Sequence, residues 1–167
     1  MVDINSGMHN AVCRKLWPAL RRVFREFESA ARIVADRDEI RAWALGILNH
    51  PGKIDAILSA AERVRQQTWP EVQTDIERDG IAALRRFRYI GPTLCYHLGK
   101  NLGLLVAKPG RHLLRIAAAT GYEQGVQVFC EDLAAESGDL IGLVDYLLWS
   151  YAANVDPGYV ARFSELR

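Results

Sequence analysis

Cysteine is scarce in this chain: its 167 residues include only three, Cys13, Cys95 and Cys130. An odd number of widely separated cysteines does not make a disulfide framework, and no two of them have the close spacing of metal ligands. We therefore predict that all three are small buried apolar residues rather than reactive thiols.

The chain also has no apolar run of membrane-spanning length, and its first ten residues, MVDINSGMHN, lack the basic-then-apolar pattern of a signal peptide. We therefore expect a cytoplasmic protein without a membrane partner. The P-loop, the dinucleotide-binding glycine motif, HExxH and the nucleophile elbow are absent as well, so the sequence indicates none of the chemistries that these motifs perform.

Acidic residues are missing from one long segment, residues 80–122, which contains seven Lys or Arg and no Asp or Glu. The whole chain has 21 basic and 20 acidic residues, so 14 basic and 20 acidic residues lie outside this segment. The segment therefore has a formal charge of +7, and the rest of the chain has −6. Such a segment is either a solvated basic face or a surface for a polyanion, and nucleic acid is the better interpretation if a phosphate-binding motif lies within it.

Helical periodicity dominates the rest of the pattern, and no stretch alternates with period two for long enough to require a strand. Half of the residues are apolar, as in an ordinary globular protein. We predict an all-α fold, a compact bundle of about eight helices in a single domain spanning residues 1–167. Apolar stripes mark helices in residues 7–35, 53–67, 80–87, 111–119, 123–136 and 139–152, among others.

Local signals predict several helix ends. Thr68 and Glu71 have the spacing of a capping box, and Asp79 is a candidate cap for the short helix 80–87. Gly103 and Gly121 are candidate stops. The predicted inward residues are Ile40, Trp43, Ala44, Ile47 and Leu48 in one helix, and Leu140, Leu143, Val144, Leu147 and Leu148 in the last one.

The most informative stretch is residues 84–112, LRRFRYIGPTLCYHLGKNLGLLVAKPGRH. Gly91 can adopt a positive φ in a tight turn, and Pro92 suits the first position of a following helix. The pattern predicts a helix, a hairpin turn and a second helix over residues 81–103. The free N–H groups at the start of the second helix would then face a phosphate oxygen.

These residues resemble the helix-hairpin-helix DNA glycosylases of the endonuclease III type. The resemblance is specific over residues 81–119, weaker over 139–152 and thin before Gly52. It implies a DNA glycosylase of base-excision repair, a hydrolase that cleaves the N-glycosidic bond of a flipped damaged or modified base. DNA would be the partner and the protein a monomer in the nucleoid. The four-cysteine iron–sulfur cluster of some members has no counterpart here, so we expect no cofactor.

The catalytic loop of the family corresponds to residues 104–115, and here the sequence departs from the family pattern. In Lys108-Pro109-Gly110-Arg111-His112, a glycine occupies the position of the catalytic aspartate. Thr93 occupies the position of the Schiff-base lysine of bifunctional members, so any surviving chemistry would be hydrolytic. The resemblance implies two catalytic positions, Gly110 and His112, of which Gly110 lacks the aspartate of the family.

The resemblance also implies which residues bind the DNA backbone and which support the loop. The expected DNA contacts are Tyr89, Ile90, Gly91, Thr93, Lys100, Lys108 and Arg111, and the supporting residues are Asp145 and Trp149. A pocket for an extruded base would need walls from Trp17, Trp43, Trp69 or Trp149, although most of these are better explained as core residues.

Three other functions remain open on the sequence alone. The chain could be a non-catalytic reader of damaged or modified DNA, or an enzyme of the same fold that modifies thymine derivatives in DNA. A helical protein-interaction domain is the third, and the phosphate-binding hairpin argues against it.

Overall fold

The computed structural model describes residues 8–165. Within that range the chain is all-α, as the sequence predicts, with ten α-helices, one 3-10 turn and no strand. The helices are α1 Asn10–Val23, α2 Ala30–Ala35, α3 Arg37–Ile47, α4 Pro51–Asp79, α5 Ile81–Leu84, α6 Leu94–Asn101, α7 Arg111–Ala119, α8 Val126–Ser137, α9 Ile141–Asn154 and α10 Tyr159–Ser164, with the 3-10 turn at Arg25–Phe27. No helix of this described range is long and apolar enough to cross a membrane.

The chain forms two compact units that divide between Gly91 and Pro92. The first contains α1 to α5 and the second α6 to α10. The prediction of a single domain over residues 1–167 stays a prediction, because one domain can comprise two such units.

The core of the first unit is made by α1, α2, α3 and the first half of α4. Its buried residues are Cys13, Leu20, Phe24, Ile33, Ile40, Ala44, Leu48, Ile54, Ile57 and Leu58. Trp43, predicted to be buried, is 51% exposed. The helix buries the face centred between Ile40 and Ala44, and successive residues turn by about 100°, so Trp43 lies at the edge of the apolar stripe.

Helix α4 is interrupted at Thr68, where the sequence predicts a new helix start. Thr68 has φ 58° and ψ 157° within an otherwise helical segment. Its hydroxyl donates a hydrogen bond to the Glu71 carboxylate, with 2.9 Å between the oxygens. The interruption is where it was predicted, although the Thr68 hydroxyl bonds to the Glu71 side chain rather than to a main-chain N–H.

The approach to the hairpin differs from the prediction in three ways. The positive φ lies at Tyr89, at 67°, and not at Gly91. Helix α6 begins at Leu94 rather than at Pro92. Asp79 does not cap α5, because its carboxylate pairs with Arg78 at 2.8 Å and also with Arg86.

Glycines end α6 and α7 as predicted. Gly103 has φ 89° and Gly121 has φ 84°, conformations that are unfavourable for residues with a Cβ. In both, the residue after the glycine donates its N–H to a carbonyl five residues back: Leu104 to Gly99 and Tyr122 to Ala117, each at 2.9 Å. These are Schellman ends, which satisfy the last carbonyls of a helix.

Helix α9 buries only part of the predicted face: Val144 is buried and Leu148 packs against the core of the second unit. Its buried residues include Val144, Asp145 and Ala152, whereas Leu143 and Leu147 are 43% and 53% exposed. Leu140, just before the helix, is 69% exposed. Because α9 is apolar nearly all round, its periodicity does not select one face, and the burial of Asp145 fixes the rotation instead.

The three cysteines are buried, as predicted. Burial raises the pKa of the Cys130 thiol to about 12, so this thiol is protonated at neutral pH and unreactive. Among residues 8–165 no group of three or more His, Cys, Asp or Glu has the arrangement of a metal site.

Candidate nucleic-acid interface

The loop between α6 and α7 is held in place by two side chains that bond to its main chain. The first is Gln127 of α8. Its Oε1 accepts the N–H of Ala107 at 2.8 Å, and its Nε2 donates to the carbonyl of Leu105 at 3.2 Å. Gln127 is itself oriented by a bond from Nε2 to Glu131 at 2.7 Å. An amide side chain can donate and accept at once, so one residue fixes two points of the loop.

The second is Asp145 of α9, which is 3% exposed. Its Oδ2 accepts the main-chain N–H of Lys108 at 2.8 Å and also binds the ammonium of Lys100 at 2.8 Å. Gly142 leaves room for this ion pair, since a Cβ there would lie 3.0 Å from Cγ of Lys100. The charge of Lys100 and the loop N–H together offset the cost of burying the carboxylate.

Lys100 is therefore part of the loop support. Its side chain is 18% exposed and its ammonium is committed to Asp145. Trp149, the other residue expected to support the loop, is 44% exposed, and its ring centroid lies 6.1 Å from that of Tyr146.

Gly110 is the N-cap residue of α7. Its φ of −81° and ψ of 160° are open to any residue, so its conformation does not require glycine. A Cβ built there would meet Lys108 at 3.9 Å from the carbonyl oxygen and 4.0 Å from Cε, which are ordinary contacts. The position would therefore accept a side chain without rearrangement.

Gly110 has no side chain that could cap the first N–H groups of α7. The carbonyl of Gly110 accepts from Leu114 at 2.9 Å, and the first three N–H groups of the helix, those of Arg111, His112 and Leu113, have no acceptor within residues 8–165. Free N–H groups at a helix start carry partial positive charge and attract anions.

Both ring nitrogens of His112 have hydrogen-bond partners in the second unit. Nε2 lies 3.3 Å from Nε of Arg111, and Nδ1 lies 3.1 Å from the hydroxyl of Tyr159, which is buried. Because the Arg111 group can only donate, we assign the ring proton to Nδ1. Burial lowers the pKa of His112, and Arg111 and Arg115 lower it further. The ring is therefore neutral at pH 7.

Three cations of this region have no carboxylate partner among residues 8–165. The second unit uses two of its carboxylates for cations elsewhere, Asp145 for Lys100 and Asp156 for Arg162. In the described part of the chain, no ion pair involves Lys108, Arg111 or Arg115. Burial lowers the pKa of the half-buried Lys108 ammonium, and Lys100 lowers it further against the opposing effect of Asp145. The loop and the first two turns of α7 therefore carry a positive field.

The hairpin residues expected to contact DNA are divided between the two units. Tyr89, Ile90 and Gly91 belong to the first unit, and Thr93 belongs to the second. Tyr89 packs its ring edge-on to His50, with 6.0 Å between centroids, and Ile90 is 5% exposed, so these side chains serve the first unit. Gly91 has open space around it, and Thr93 is the N-cap residue of α6 without a side-chain bond. A phosphate contact by the main chain of residues 90–93 stays a prediction.

Sequence reasoning missed Gln127 and Tyr159. Gln127 resembles any exposed polar residue in the first turn of a helix, so no local signal marks it. Tyr159 lies beyond the last predicted helix, residues 139–152. The spacing of Tyr159 and Phe163, an aromatic pair four residues apart, is a signal that would have indicated α10.

No family model, curated protein or solved structure matches this chain. The resemblance to helix-hairpin-helix glycosylases therefore depends on the motif residues alone.

Proposed function

We propose that this chain binds DNA through residues 107–115 of its second unit, and that it is a DNA glycosylase of the helix-hairpin-helix type that lacks the catalytic carboxylate. The observation that carries the proposal is the group of three unpaired cations, Lys108, Arg111 and Arg115, beside the uncapped start of α7. Cations without acidic partners and free main-chain N–H groups together suit a phosphate diester.

The support of the loop strengthens the proposal. Asp145 and Gln127 fix the main chain at Leu105, Ala107 and Lys108. A binding group held by hydrogen bonds loses little conformational freedom when the ligand arrives. In this proposal Lys108 and Arg111 contact phosphates, while Lys100 acts indirectly by holding Asp145.

Glycosidic bond hydrolysis requires stabilisation of the positive charge that develops on the sugar. Gly110 supplies no group for this, and Asp145 is buried and committed to two donors. His112 is neutral, with both nitrogens in use. We therefore expect the chain as written to bind DNA and to release bases slowly.

A non-catalytic reader of damaged or modified DNA is the second candidate. The commitment of Asp145 favours it, because the carboxylate that holds the loop already binds two donors and is not left to act on the sugar. Both candidates contact the DNA backbone with the same residues. They differ in whether residue 110 is the position of a catalytic carboxylate for base release.

The experiment for DNA binding is a fluorescence anisotropy titration with a labelled duplex at several salt concentrations. Affinity should fall steeply with salt, and Arg111→Ala should weaken binding to all sequences alike and reduce the salt slope by about one. Arg162→Ala is the matched control, because Arg162 is paired with Asp156 at 2.6 Å. Equal effects of the two variants, or a loss limited to one sequence, would contradict the assignment.

A further inference from the structure

Helix α9 leaves a broad apolar face open to water. Leu143, Tyr146, Leu147 and Trp149 are each between 43% and 54% exposed, and Leu140, directly before the helix, is 69% exposed. Throughout α9, which the structure describes completely, no exposed residue is charged. These five side chains expose on the order of 500 Å² of apolar surface, near the upper limit of about 300–600 Å² for the largest patch of a monomer. A patch of this size indicates a surface for a partner.

A groove beside this face gives the patch depth. The groove has a volume of about 430 Å³, and apolar side chains of α8 and α9 line it: Leu133, Val144, Leu147 and Leu148. Leu147 belongs to both the groove and the exposed face, so the two form one continuous surface. We call this surface, the groove together with the exposed face of α9, the α8–α9 surface.

The spacing along the α8–α9 surface is that of a helix-binding site. Leu140, Leu143 and Leu147 follow one another at three and four residues, so they form a row of about 10 Å along the axis of α9. The surface is therefore longer than the groove alone. Partner helices that dock on such rows place their own apolar residues at positions i, i+3 or i+4, and i+7.

The rim of the groove is acidic. Glu136 and Asp139 line it, and both are exposed. They belong to a segment, residues 116–161, that contains seven Asp or Glu and no Lys or Arg. Asp145 and Asp156 each pair with a cation, whereas the other five carboxylates form no ion pair within residues 8–165. The negative charge beside the groove is therefore not neutralised by the chain itself.

The sign of this charge decides which partner suits the surface. A second copy of the chain would bring the same acidic rim against itself in a two-fold interface, and like charges across an interface are unfavourable. Phosphates of nucleic acids and anionic lipid headgroups are repelled for the same reason. An amphipathic helix with Lys or Arg beside its apolar stripe suits both the apolar floor and the acidic rim.

We propose that the α8–α9 surface binds a basic amphipathic helix of a partner protein. The apolar stripe of that helix lies along Leu140, Leu143 and Leu147, and its cations lie beside Glu136 and Asp139. None of these residues belongs to the DNA-binding segment, residues 107–115, so the proposal is independent of the proposed function and can fail without it.

The probe is a fluorescein-labelled helical peptide of leucine and lysine with one leucine stripe, titrated against the full chain by fluorescence anisotropy. Two matched peptides are titrated in parallel. One carries glutamate in place of lysine, and the other is a scrambled leucine–lysine peptide of the same composition without a stripe. We expect saturable binding of the first peptide, tighter than that of either matched peptide by about tenfold or more and weaker at high salt.

Leu147→Ser tests the apolar floor. Its matched control is Val155→Ser, because Val155 is 67% exposed and is not among the described residues that line the groove. Both positions are more than half exposed, so both variants should fold, and thermal melts followed by circular dichroism check this. Leu147→Ser should weaken the leucine–lysine peptide by about tenfold, because the partner helix buries this side chain, and Val155→Ser should leave its affinity unchanged.

Reversal of the rim charge tests the second element of the surface. Glu136→Lys combined with Asp139→Lys should weaken the leucine–lysine peptide by about tenfold or more and strengthen the leucine–glutamate peptide. The matched control combines Glu123→Lys with Glu165→Lys, which changes the net charge equally. Glu123 and Glu165 are exposed acids of the same unit, and neither is among the described residues that line the groove.

Three results would overturn the proposal. The first is equal affinity of the chain for the three peptides, and the second is an equal effect of either variant and its matched control. The third comes from sedimentation of the full chain without peptide. A dimer that Leu147→Ser dissociates would show that a second copy, and not a basic helix, occupies the α8–α9 surface.

Discussion

Gly110→Asp tests whether the loop is a glycosylase site that lacks only its carboxylate. The main chain at Gly110, with φ −81° and ψ 160°, accommodates aspartate, and the nearest atoms to a new Cβ are 3.9 and 4.0 Å away. The substitution should therefore leave the fold unchanged. Aspartate is also a better N-cap than glycine by a few tenths of a kcal/mol, which raises the melting temperature by about 1 °C.

The catalytic effect should be much larger than the effect on stability. One preorganised group that stabilises developing charge contributes on the order of 10²–10³ in rate. Gly110→Asp should therefore raise base release by about that factor, while DNA affinity stays similar or falls slightly because the new carboxylate repels phosphate. The free N–H groups of α7 and the nearby Lys108 keep the new carboxylate ionised at neutral pH.

The assay is release of free base under single-turnover conditions, across duplexes and single strands that carry different lesions. Gly110→Asn is the matched control, because asparagine caps the helix as well as aspartate does but carries no charge. We expect Gly110→Asn to show the higher melting temperature but not the faster base release. If the glycine form already releases base at full speed, or if the Asn variant matches the Asp variant, the charge at residue 110 is not the missing group.

The remaining predictions concern stability. Asp145→Ala should cost about 3–5 kcal/mol of unfolding free energy in urea, because it leaves Lys100 and the Lys108 N–H unpaired; Lys100→Met in that background should recover part of it. The pKa of His112 is lower in the folded protein than in the unfolded chain, so below about pH 6.5 the unfolded chain binds this proton more readily and the free energy of unfolding should decrease. The decrease should be smaller in His112→Gln. Equal slopes of unfolding free energy against pH in the two proteins would refute this. Thr68→Gly should be more stable than Thr68→Ala by at least about 1 kcal/mol, because only glycine relieves the positive φ.

The sequence predicted local structure best where one residue determines it. Gly103 and Gly121 end helices because a Schellman turn requires a left-handed residue, and this requirement is visible in the sequence. The interruption at Thr68 was visible in the same way, through the spacing of Thr68 and Glu71. Such signals act over a few residues and need no knowledge of packing.

Prediction failed where the outcome depends on distant residues. The face of α9 could not be read from its periodicity, because a helix that is apolar on most sides has no preferred direction until its partners are known. The contact between Lys108 and Asp145 joins residues 37 apart, and that between Ala107 and Gln127 joins residues 20 apart. Asp145 was singled out through the family resemblance, and Gln127 was not singled out at all.

The hydrogen bonds that hold the loop also fix the main chain at residue 110. Burying Asp145 is unfavourable unless its oxygen is fully used, and one of its two bonds goes to the main chain of Lys108, two residues before Gly110. The Gly110 N–H in turn bonds to the Lys108 carbonyl at 2.7 Å, so the fixed point extends to residue 110 itself. These bonds use main-chain atoms and are independent of the side chain at 110. A carboxylate placed there would therefore start from an ordered main chain, whereas under the proposed function a glycine leaves an ordered helix start that can still hold the DNA backbone.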